Sequence, residues 1–502
     1  MTLINVIENT VEKYPEACAL QHSGGIITYK VLYDAILRLA NGLQNLGLGR
    51  SERAAVMLPN IPHFAMVYHA IMRLGAVVVP FNTMLKGREI AALLDECEAR
   101  TFITLQTIYK DCSTYVNLIR SLRNVILLGE ETPKNAVNLT RLMAKSTPLF
   151  DVAPVDESDI AVVNYTAGET GRPKGAELAH SNLLSNTSAC AEIFNIEPND
   201  VLYAALPFFT PMGQTLLLNQ AILSGAALNL VPKFDPSETA KHICQGKSTV
   251  FIGTPSMFKI VLYVAAGYEV EKPLRLCICG NGQLDEDTIK GFEKRFATHI
   301  LECYTAAETS PVIAVNKWRS GRRIGSLGHP LPGVEMKIVD ERSRELHIGA
   351  TGEIIVKGPN VMKGYLNRPT LTSLVLHDGW FYTGDLGKMD INGFFYLVDR
   401  LYDRIMKGGF TIYPYEIETL LKCHPDVSDA AVVGIQETPY DQELKACIVL
   451  KSSSNISTEQ IAAYCLEHLA LYKVPKVVRF YKELPRQDDG QLNREELKRE
   501  IK

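Results

Sequence analysis

The sequence lacks an excess of charge of either sign. Its 52 Lys and Arg residues nearly balance its 56 Asp and Glu residues, which leaves a formal net charge of −4. A broad positive field that would attract nucleic acid is therefore excluded, and no lysine-rich run is present that would hold an anionic membrane. We expect no nucleic-acid partner, and an anionic ligand would need a local cradle of donors.

The sequence also lacks a long uninterrupted hydrophobic run. Its longest apolar stretch, Met212–Pro232, is interrupted by Gln214, Asn219 and Gln220. This stretch therefore predicts a buried helix that runs into a strand, and we expect no membrane span. The N-terminus has no basic start followed by an apolar core, so it does not predict a secretory signal.

Cysteines at the spacing of a metal site are missing as well. The 11 cysteines are scattered along the chain, and Cys277 and Cys279 would point to one face of a strand. Because no second ligand pair follows at zinc spacing, we expect both to be core thiols. The pattern predicts a reducing, cytoplasmic location.

No internal repeat is present, and the first 150 residues alternate helical and strand patterns. Apolar residues recur at helical spacing over Tyr29–Leu46 and Ala65–Leu74, and buried strands are predicted at Arg53–Leu58 and Ala76–Val79. This alternation predicts an α/β fold with doubly wound sheets.

The pattern changes near residue 400. Upstream, residues 379–400 form short β-rich runs punctuated by Gly and Asp. Downstream we predict two helices and two strands, at Tyr415–Lys422, Thr458–Leu469, Ala430–Gly434 and Ala446–Leu450. We therefore expect a large domain over 1–399, a small domain over 400–502, and a hinge at Asp399–Tyr402.

The most informative segment is Tyr165–Gly175, YTAGETGRPKG. Its glycines allow a sharp turn that points backbone N–H groups at one anion, and its side chains add hydroxyls and one positive charge. The candidate contacts are Thr166, Gly168, Thr170, Gly171, Lys174 and Gly175. Such a loop is typical of polyphosphate binding, although a glycine-rich surface turn remains the alternative. The spacing differs from GxxxxGK(S/T), which disfavours a P-loop kinase or ATPase.

This loop resembles the YTSGTTGxPKG signature of the adenylate-forming superfamily, which includes acyl-CoA synthetases, luciferases and peptide-synthetase adenylation domains. The resemblance extends over essentially the whole chain, and later motifs follow in the family's order at 304–308 (YTAAE), 382–385 (YTGD), 398–400 (VDR) and 408–418 (GGFTIYPYEIE). The chain is thus identified as a member, closest to the acyl-CoA synthetase (fatty-acid–CoA ligase) branch. The resemblance implies a large domain of doubly wound sheets plus a small barrel-like sheet, and a small, mobile α+β C-terminal domain.

The resemblance also implies a role for each motif residue that would contact ATP. Glu308 would ligate Mg²⁺ between the phosphates, and Lys174 would act with it in catalysis. Tyr304 would stack on adenine, whereas Asp385 and Arg400 would reach the ribose. The alternative for Glu308 is a solvated surface acid, and for Tyr304 it is core packing. For Asp385 it is an Asp that caps its own turn, and for Arg400 a structural salt bridge.

Three further groups of residues are implied by the same resemblance. The turn at 279–284, CGNGQL, would line the adenine and acyl sites with Gly280, Asn281 and Gly282. The small-domain loop Gly408–Gly409 would line the pantetheine tunnel after a domain rotation about the hinge at Tyr402, with a simple turn as the alternative. Residues 206–213, LPFFTPMG, resemble LPLFHxxG, with Thr210 at the usual histidine. They point to an acyl pocket made by Phe208, Phe209, Met212 and Gly253, although such side chains are more often core.

The chain departs from the family at its C-terminal motif. Residues 484–497, LPRQDDGQLNREEL, place Gln491 where the family has its catalytic lysine, and Lys498 lies further along a predicted helix, 494–502. Losing one such donor costs about 10²- to 10³-fold in rate. Ala307, Glu169 and Tyr402 replace a threonine, a threonine or serine, and an Asp or Lys. These changes bear on adenylation and not on thioester formation.

The predicted function is an ATP-dependent acid–thiol ligase that activates a fatty or aryl acid as acyl-AMP and transfers it to coenzyme A. Its partners would be small molecules, with Mg²⁺ as cofactor and ATP and CoA as co-substrates; a homodimer is left open. Two alternatives remain: an acyl-AMP-to-CoA transferase with impaired adenylation, and a non-catalytic nucleotide- or acyl-binding pseudoenzyme. A fatty acyl-AMP ligase is disfavoured because we find no extra insertion in the large domain.

Overall fold

The computed structural model describes most of the chain: residues 1–149, 152, 154–166, 173–317, 321–400, 405–438, 441–451, 454, 456–486 and 492–499, with the side chains of 399, 400, 415, 437, 438 and 495 left aside. Within these residues the fold is α/β, as predicted, with two large sheets, a smaller antiparallel sheet and a separate C-terminal unit.

The two large sheets are mainly parallel, with antiparallel strands at their edges. The first sheet has nine strands, in the order His329–Pro330, Val312–Asn316, Ile300–Thr305, Leu276–Gly280, Val250–Gly253, Val201–Ala204, Ala227–Leu230, Cys18–His22 and Gly25–Thr28. The second has eight, in the order Gly364–Tyr365, Lys174–Ala179, Ile160–Thr166, Val77–Pro80, Arg53–Met57, Thr101–Leu105, Asn124–Leu128 and Val137–Asn138.

Helices cover both sheets; one hydrophobic cluster joins the two sheets, and a second cluster lies on the other face of the second sheet. They span Leu3–Lys13, Tyr29–Asn45, Pro62–Arg73, Gly87–Glu96, Gln106–Val116, Leu139–Lys145, His180–Phe194, Gln220–Ser224, Pro236–Cys244, Pro255–Ala265 and Glu286–Phe296, with a π-helical turn at Gly213–Asn219 and a 3₁₀ turn at Ala307–Thr309. Pro62–Arg73 is apolar on nearly every side, and all its residues except His63 are buried. A helix of this kind is stable only inside a core.

A third sheet of five antiparallel strands follows and packs onto the same core. Its strands are Glu335–Val339, Gly352–Lys357, Leu376–His377, Trp380–Met389 and Phe395–Arg400, with the helix Pro369–Val375 beside them. This is the small sheet that the family resemblance implied.

The C-terminal unit is built on a three-stranded sheet of Val427–Thr438, Asp441–Leu450 and Val477–Tyr481. A hairpin, Ile405–Lys407 with Phe410–Ile412, and the helices Pro414–Lys422, Thr458–His468, Leu471–Lys473 (3₁₀) and Arg494–Arg499 surround it. Successive residues of a strand point to opposite faces. As a result Ala430 and Val432 pack against the hairpin and the first two helices, whereas Ala431 and Val433 pack against the C-terminal segment that contains Leu484 and Leu497.

Most predicted elements are confirmed with end points that move by a few residues. The predicted helix Tyr29–Leu46 ends at Asn45, and Ala65–Leu74 begins earlier, at Pro62, because a proline suits the first turn of a helix. The stretch Met212–Pro232 is a buried helical segment followed by the strand Ala227–Leu230, as predicted. The boundary at residue 400 remains a prediction, because 401–404 lie outside the described residues.

The cysteines and the hydrophobic segments also match the sequence predictions. All 11 cysteines are free, and Cys277 and Cys279 are fully buried thiols in one strand. In the part of the chain that the structure describes, no helix is long and apolar enough to cross a membrane.

The start of the π-helical turn yields a stability prediction. A Cβ at Gly213 would collide with the backbone carbonyl of Pro207 and lie 2.7 Å from its carbon atom. We expect Gly213→Ala to destabilise the fold by about 1–3 kcal/mol, as overpacking does, and to lower the midpoint of thermal unfolding. Gly49→Ala is the matched control, since nothing lies within 4 Å of its Cβ. Equal midpoints for the two variants would contradict the close packing at Gly213.

Candidate functional site

Three of the sequence motifs, and the segment after Gly253, follow neighbouring strands of the first sheet. The strands that end at Ala204, Gly253, Gly280 and Thr305 are adjacent and run parallel. The segments after them are LPFFTPMG, the residues from Thr254, the CGNGQL turn and the segment containing Glu308. Because the carboxyl ends of parallel strands lie at one edge, the fold brings these motifs together where α/β sheets bind ligands.

The backbone of the turn at 279–284 restricts its residues in two ways, by a close contact and by positive φ angles. A Cβ at Gly280 would lie 2.6 Å from the Cε atom of Met212, so the thioether approaches this backbone closely. Asn281 and Gly282 have positive φ angles of 63° and 151°. The turn ends at Leu284, whose N–H donates to the buried carboxylate of Glu302 at 3.4 Å. Burial raises the pKa of Glu302.

Tyr304 and Asp385 come from different sheets and meet directly. The Tyr304 hydroxyl donates to Asp385 Oδ2 at 2.7 Å, and both residues are buried. The backbone N–H of Asp385 donates to Thr383 Oγ1, and Arg400 is its partner on the neighbouring strand. The two residues predicted to contact adenine and ribose therefore lie side by side.

Glu308 and Lys174 are linked through a residue that the sequence analysis missed, Tyr365. The Tyr365 hydroxyl donates to Glu308 Oε1 at 2.8 Å, and the Lys174 ammonium lies 5.3 Å from the centre of its ring. Tyr365 is buried in a two-residue strand that pairs with the strand of Lys174. Only the run Gly-Tyr-Leu-Asn-Arg-Pro marks this position in the sequence, and nothing local connects it with Glu308.

The described residues fit a Mg²⁺ ion that would be bound partly by protein and partly by the phosphate oxygens of a substrate. Mg²⁺ usually binds one or two carboxylates plus substrate phosphates and keeps several waters. Glu308 would supply one carboxylate, and no cluster of three or more acidic, His or Cys ligands occurs among the described residues. The donor set suits a metal that arrives with a polyphosphate rather than one caged by protein alone.

The four candidate acyl-pocket residues differ in their surroundings. Phe208 is fully buried and packs at a ring-centroid distance of 5.5 Å from Phe64, inside the core. Phe209 is only partly buried, and Met212 lies over Gly280. Gly253 lies at the end of its strand, where a Cβ would contact Phe251 and Met257.

The hairpin of the C-terminal unit reaches this edge of the first sheet. The Asn281 side-chain amide donates to the carbonyl of Gly409, and a Cβ at Gly409 would lie 2.7 Å from Thr254 Cγ2. Gly408 and Gly409 have φ angles of 58° and 83°, and the Gly408 N–H donates to Asp441 Oδ1. The candidate tunnel loop thus contacts the candidate nucleotide turn directly.

Several predicted residues cannot be placed. Gly168, Glu169, Thr170, Gly171, Tyr402 and Gln491 lie outside the described residues, as does the side chain of Arg400. Thr166 and Lys174, which lie on either side of 167–172, are antiparallel strand partners. Arg486 and Leu492, which flank 487–491, form a β-bridge on the C-terminal unit.

Comparison with known proteins agrees with these motifs. A family model described as AMP-binding enzyme matches residues 7–366, and one described as AMP-binding enzyme C-terminal domain matches residues 416–491. A long-chain-fatty-acid–CoA ligase from Bacillus subtilis is 34% identical over 99% of this chain and 94% of its own length.

Two solved structures differ in how well the whole chain superposes on them. One is o-succinylbenzoate CoA synthetase from Bacillus subtilis, bound with its product analogue OSB-NCoA: 28% identity, a TM-score of 0.88, and 98% coverage of both chains. The other is ATP-bound MatB from Rhodopseudomonas palustris: 29% identity and a TM-score of 0.73, at 99% and 98% coverage. Identity and coverage are nearly equal for the two structures, so they do not account for the difference in TM-score. The backbone of this chain superposes more closely on the analogue-bound structure.

Proposed function

Because this chain belongs to the AMP-binding enzyme family, in the acyl-CoA synthetase branch of the adenylate-forming superfamily, we propose that it activates a fatty or aryl acid as acyl-AMP and transfers the acyl group to coenzyme A. The observation that carries this proposal is the contact between Asn281 and Gly409. It joins the candidate nucleotide turn to the loop Gly408–Gly409, where a Cβ at Gly408 would meet nothing within 4 Å and Gly409 packs closely on Thr254.

In the first step, a carboxylate oxygen of the acid attacks the α-phosphorus of ATP and pyrophosphate leaves. Asp385 would hold the ribose hydroxyls, with its carboxylate oriented by the Tyr304 hydroxyl. Lys174 would bind the polyphosphate from the strand beside the loop. Magnesium, when bound at Glu308, would neutralise part of the phosphate charge.

In the second step, the CoA thiol attacks the acyl carbonyl and AMP leaves. The loop Gly408–Gly409 lies on one face of the small sheet, and the segment that leads to Gln491 packs on the other. One rigid unit cannot present both faces to a single site at once. We therefore propose that the small domain rotates between the two steps about 399–402.

The class of acid is proposed from the relatives' names. One relative is named for a long-chain fatty acid and one structure for an aromatic acid, o-succinylbenzoate. Both classes need an apolar slot, which Phe209, Met212 and Gly253 could line. Thr210 does not supply the imidazole usual in this motif, and its hydroxyl donates to the carbonyl of Pro207 at 2.6 Å.

One observation favours a second candidate, an acyl-AMP-to-CoA transferase that adenylates slowly. Gln491 carries no charge at the position of the usual lysine, whereas the loop proposed for the second step is already docked on the site. A split assay separates the candidates: one arm measures pyrophosphate release from ATP with a panel of fatty and aryl acids, and the other supplies synthetic acyl-AMP with CoA. The ligase requires both arms to be active, and the transferase only the second.

Glu308 is tested by an isosteric change. Glu308→Gln should lower Mg²⁺-dependent turnover by roughly 10²-fold or more, because the metal loses its charged ligand. Tyr365→Phe is the matched control: it removes one hydrogen bond to Glu308 but keeps the charge, and should cost about tenfold or less. Near-wild-type turnover of Glu308→Gln, with an unchanged unfolding midpoint, would remove Glu308 from the metal site.

Asp385 is tested by nucleotide affinity. Asp385→Ala should weaken ATP and acyl-AMP alike, since both carry the ribose, and each lost charge-assisted hydrogen bond is worth about 1.5–3 kcal/mol. Calorimetry gives the two dissociation constants. Tyr304→Phe retains the carboxylate and should lose less affinity than Asp385→Ala. Unchanged affinity of the Asp385 variant for both ligands would show that the ribose assignment is wrong.

Gln491 is tested by restoring the positive charge. Gln491→Lys should raise pyrophosphate release by up to about 10²-fold, because charge on the α-phosphate develops in the first step. It should leave conversion of supplied acyl-AMP nearly unchanged. Gln491→Met, of similar length and uncharged, should not raise either rate. If wild type adenylates at ordinary rates and the lysine changes nothing, another cation supplies the charge, and Lys498→Met is the next variant.

A further inference from the structure

A buried cluster of three charged residues joins the small domain to the large one. The Lys473 ammonium donates to Glu89 Oε1 at 2.8 Å and to Glu416 Oε1 at 2.7 Å. Glu89 lies in the helix Gly87–Glu96 of the large domain, whereas Glu416 lies in the small-domain helix Pro414–Lys422. One cation therefore holds a carboxylate from each side of the interface.

The cluster is shielded from water, so breaking one of its ion pairs costs more free energy than breaking a surface pair. Side-chain exposure is 8% for Lys473, 12% for Glu89 and 16% for Glu416. Burial alone would lower the pKa of Lys473, but Glu416, Tyr472 and Glu89 raise it above its usual value. Removing one partner of a buried pair leaves a charge uncompensated, unlike the loss of a surface pair.

The cluster is also linked mechanically to the loop at the site. Tyr472, the residue before Lys473, stacks on Phe410 at a ring-centroid distance of 4.4 Å and an interplanar angle of 24°. Phe410 directly follows Gly409, whose carbonyl accepts from Asn281. The ion pair and the loop are thus joined through two stacked rings, and docking of one sets the position of the other.

We propose that the Glu89–Lys473 pair is a latch that holds the small domain in the arrangement where Gly409 faces Asn281, and so positions the loop for thioester formation. The latch rests on the proposed two-step function. Glu89 and Lys473 are positioning residues, because they act through the stack of Tyr472 on Phe410 and not on the substrate.

Glu416 makes such a latch reversible. To present the opposite face of the small sheet to the site, the small domain must withdraw Lys473 from Glu89. Glu416 moves with Lys473 because both belong to the small domain, so the cation keeps one carboxylate throughout. Glu89 keeps the hydrogen bond that its Oε2 atom accepts from the Lys86 N–H. Release therefore leaves no bare buried charge on the small domain.

The test compares two isosteric variants that each remove one carboxylate from Lys473. Glu89→Gln breaks the contact between domains, whereas Glu416→Gln breaks only the contact inside the small domain.

The first half-reaction is followed by pyrophosphate release. The second is followed with synthetic dodecanoyl-AMP and feruloyl-AMP plus CoA. We expect Glu89→Gln to slow the second by roughly tenfold without slowing the first, as a shift in domain populations would. Glu89→Asp should recover part of the loss.

A second readout does not depend on activity. Exposed Cys423 of the small domain and a cysteine introduced by Lys134→Cys on the large domain would carry a fluorescent donor and acceptor. Glu89→Gln should change the transfer efficiency of the ligand-free protein, and Glu416→Gln should change it less.

The latch is overturned if Glu89→Gln slows both half-reactions equally, if Glu416→Gln changes their ratio as much, or if the transfer efficiency stays at the wild-type value. If wild type converts neither acyl-AMP, the proposed function fails, and the fluorescence comparison alone then decides on the latch.

Discussion

The small-domain sheet has two apolar faces, and the rest of the proposed mechanism depends on that constraint. Val432 packs toward the hairpin that carries Gly409, and Val433 packs toward the segment that leads to Gln491. A strand cannot turn both faces toward one site. Two chemical steps that need different segments therefore require the whole unit to move, and the interface with the large domain must hold firmly and still release.

The large domain supplies a fixed edge for the proposed rotation. Parallel strands of the first sheet end together, so Asn281 and Glu308 both follow adjacent strands at one edge. Lys174 comes from the second sheet and is linked to Glu308 through Tyr365. Two tyrosine hydroxyls orient the two key carboxylates, Tyr304 toward Asp385 and Tyr365 toward Glu308. Each hydrogen bond joins residues from different sheets or elements, which makes the geometry of the site a property of how the layers pack.

Sequence reasoning succeeded where a pattern is local. The helices and strands that periodicity predicted before residue 80 and after residue 410 are present, with errors at their ends, whereas the helix Leu3–Lys13 and the strand Val477–Tyr481 were not predicted. Motifs located Glu308 and Asp385, because each stands in a short, ordered signature. Phe208 shows the limit: its motif predicts a pocket wall, which stays a prediction, and its ring is fully buried and packs on Phe64. Hydrophobicity is the same signal in both settings, so only the neighbours distinguish them.

The sequence by itself determined the fold class, the family and the order of the motifs, because these depend on spacing and residue type along the chain. Only the tertiary structure decided that Tyr365 joins Glu308 and that Lys473 joins Glu89 to Glu416. Such contacts connect residues tens to hundreds of positions apart, and no local periodicity encodes them. They arise from the packing of sheets and domains, which brings a lysine from one end of the chain against a helix near the other.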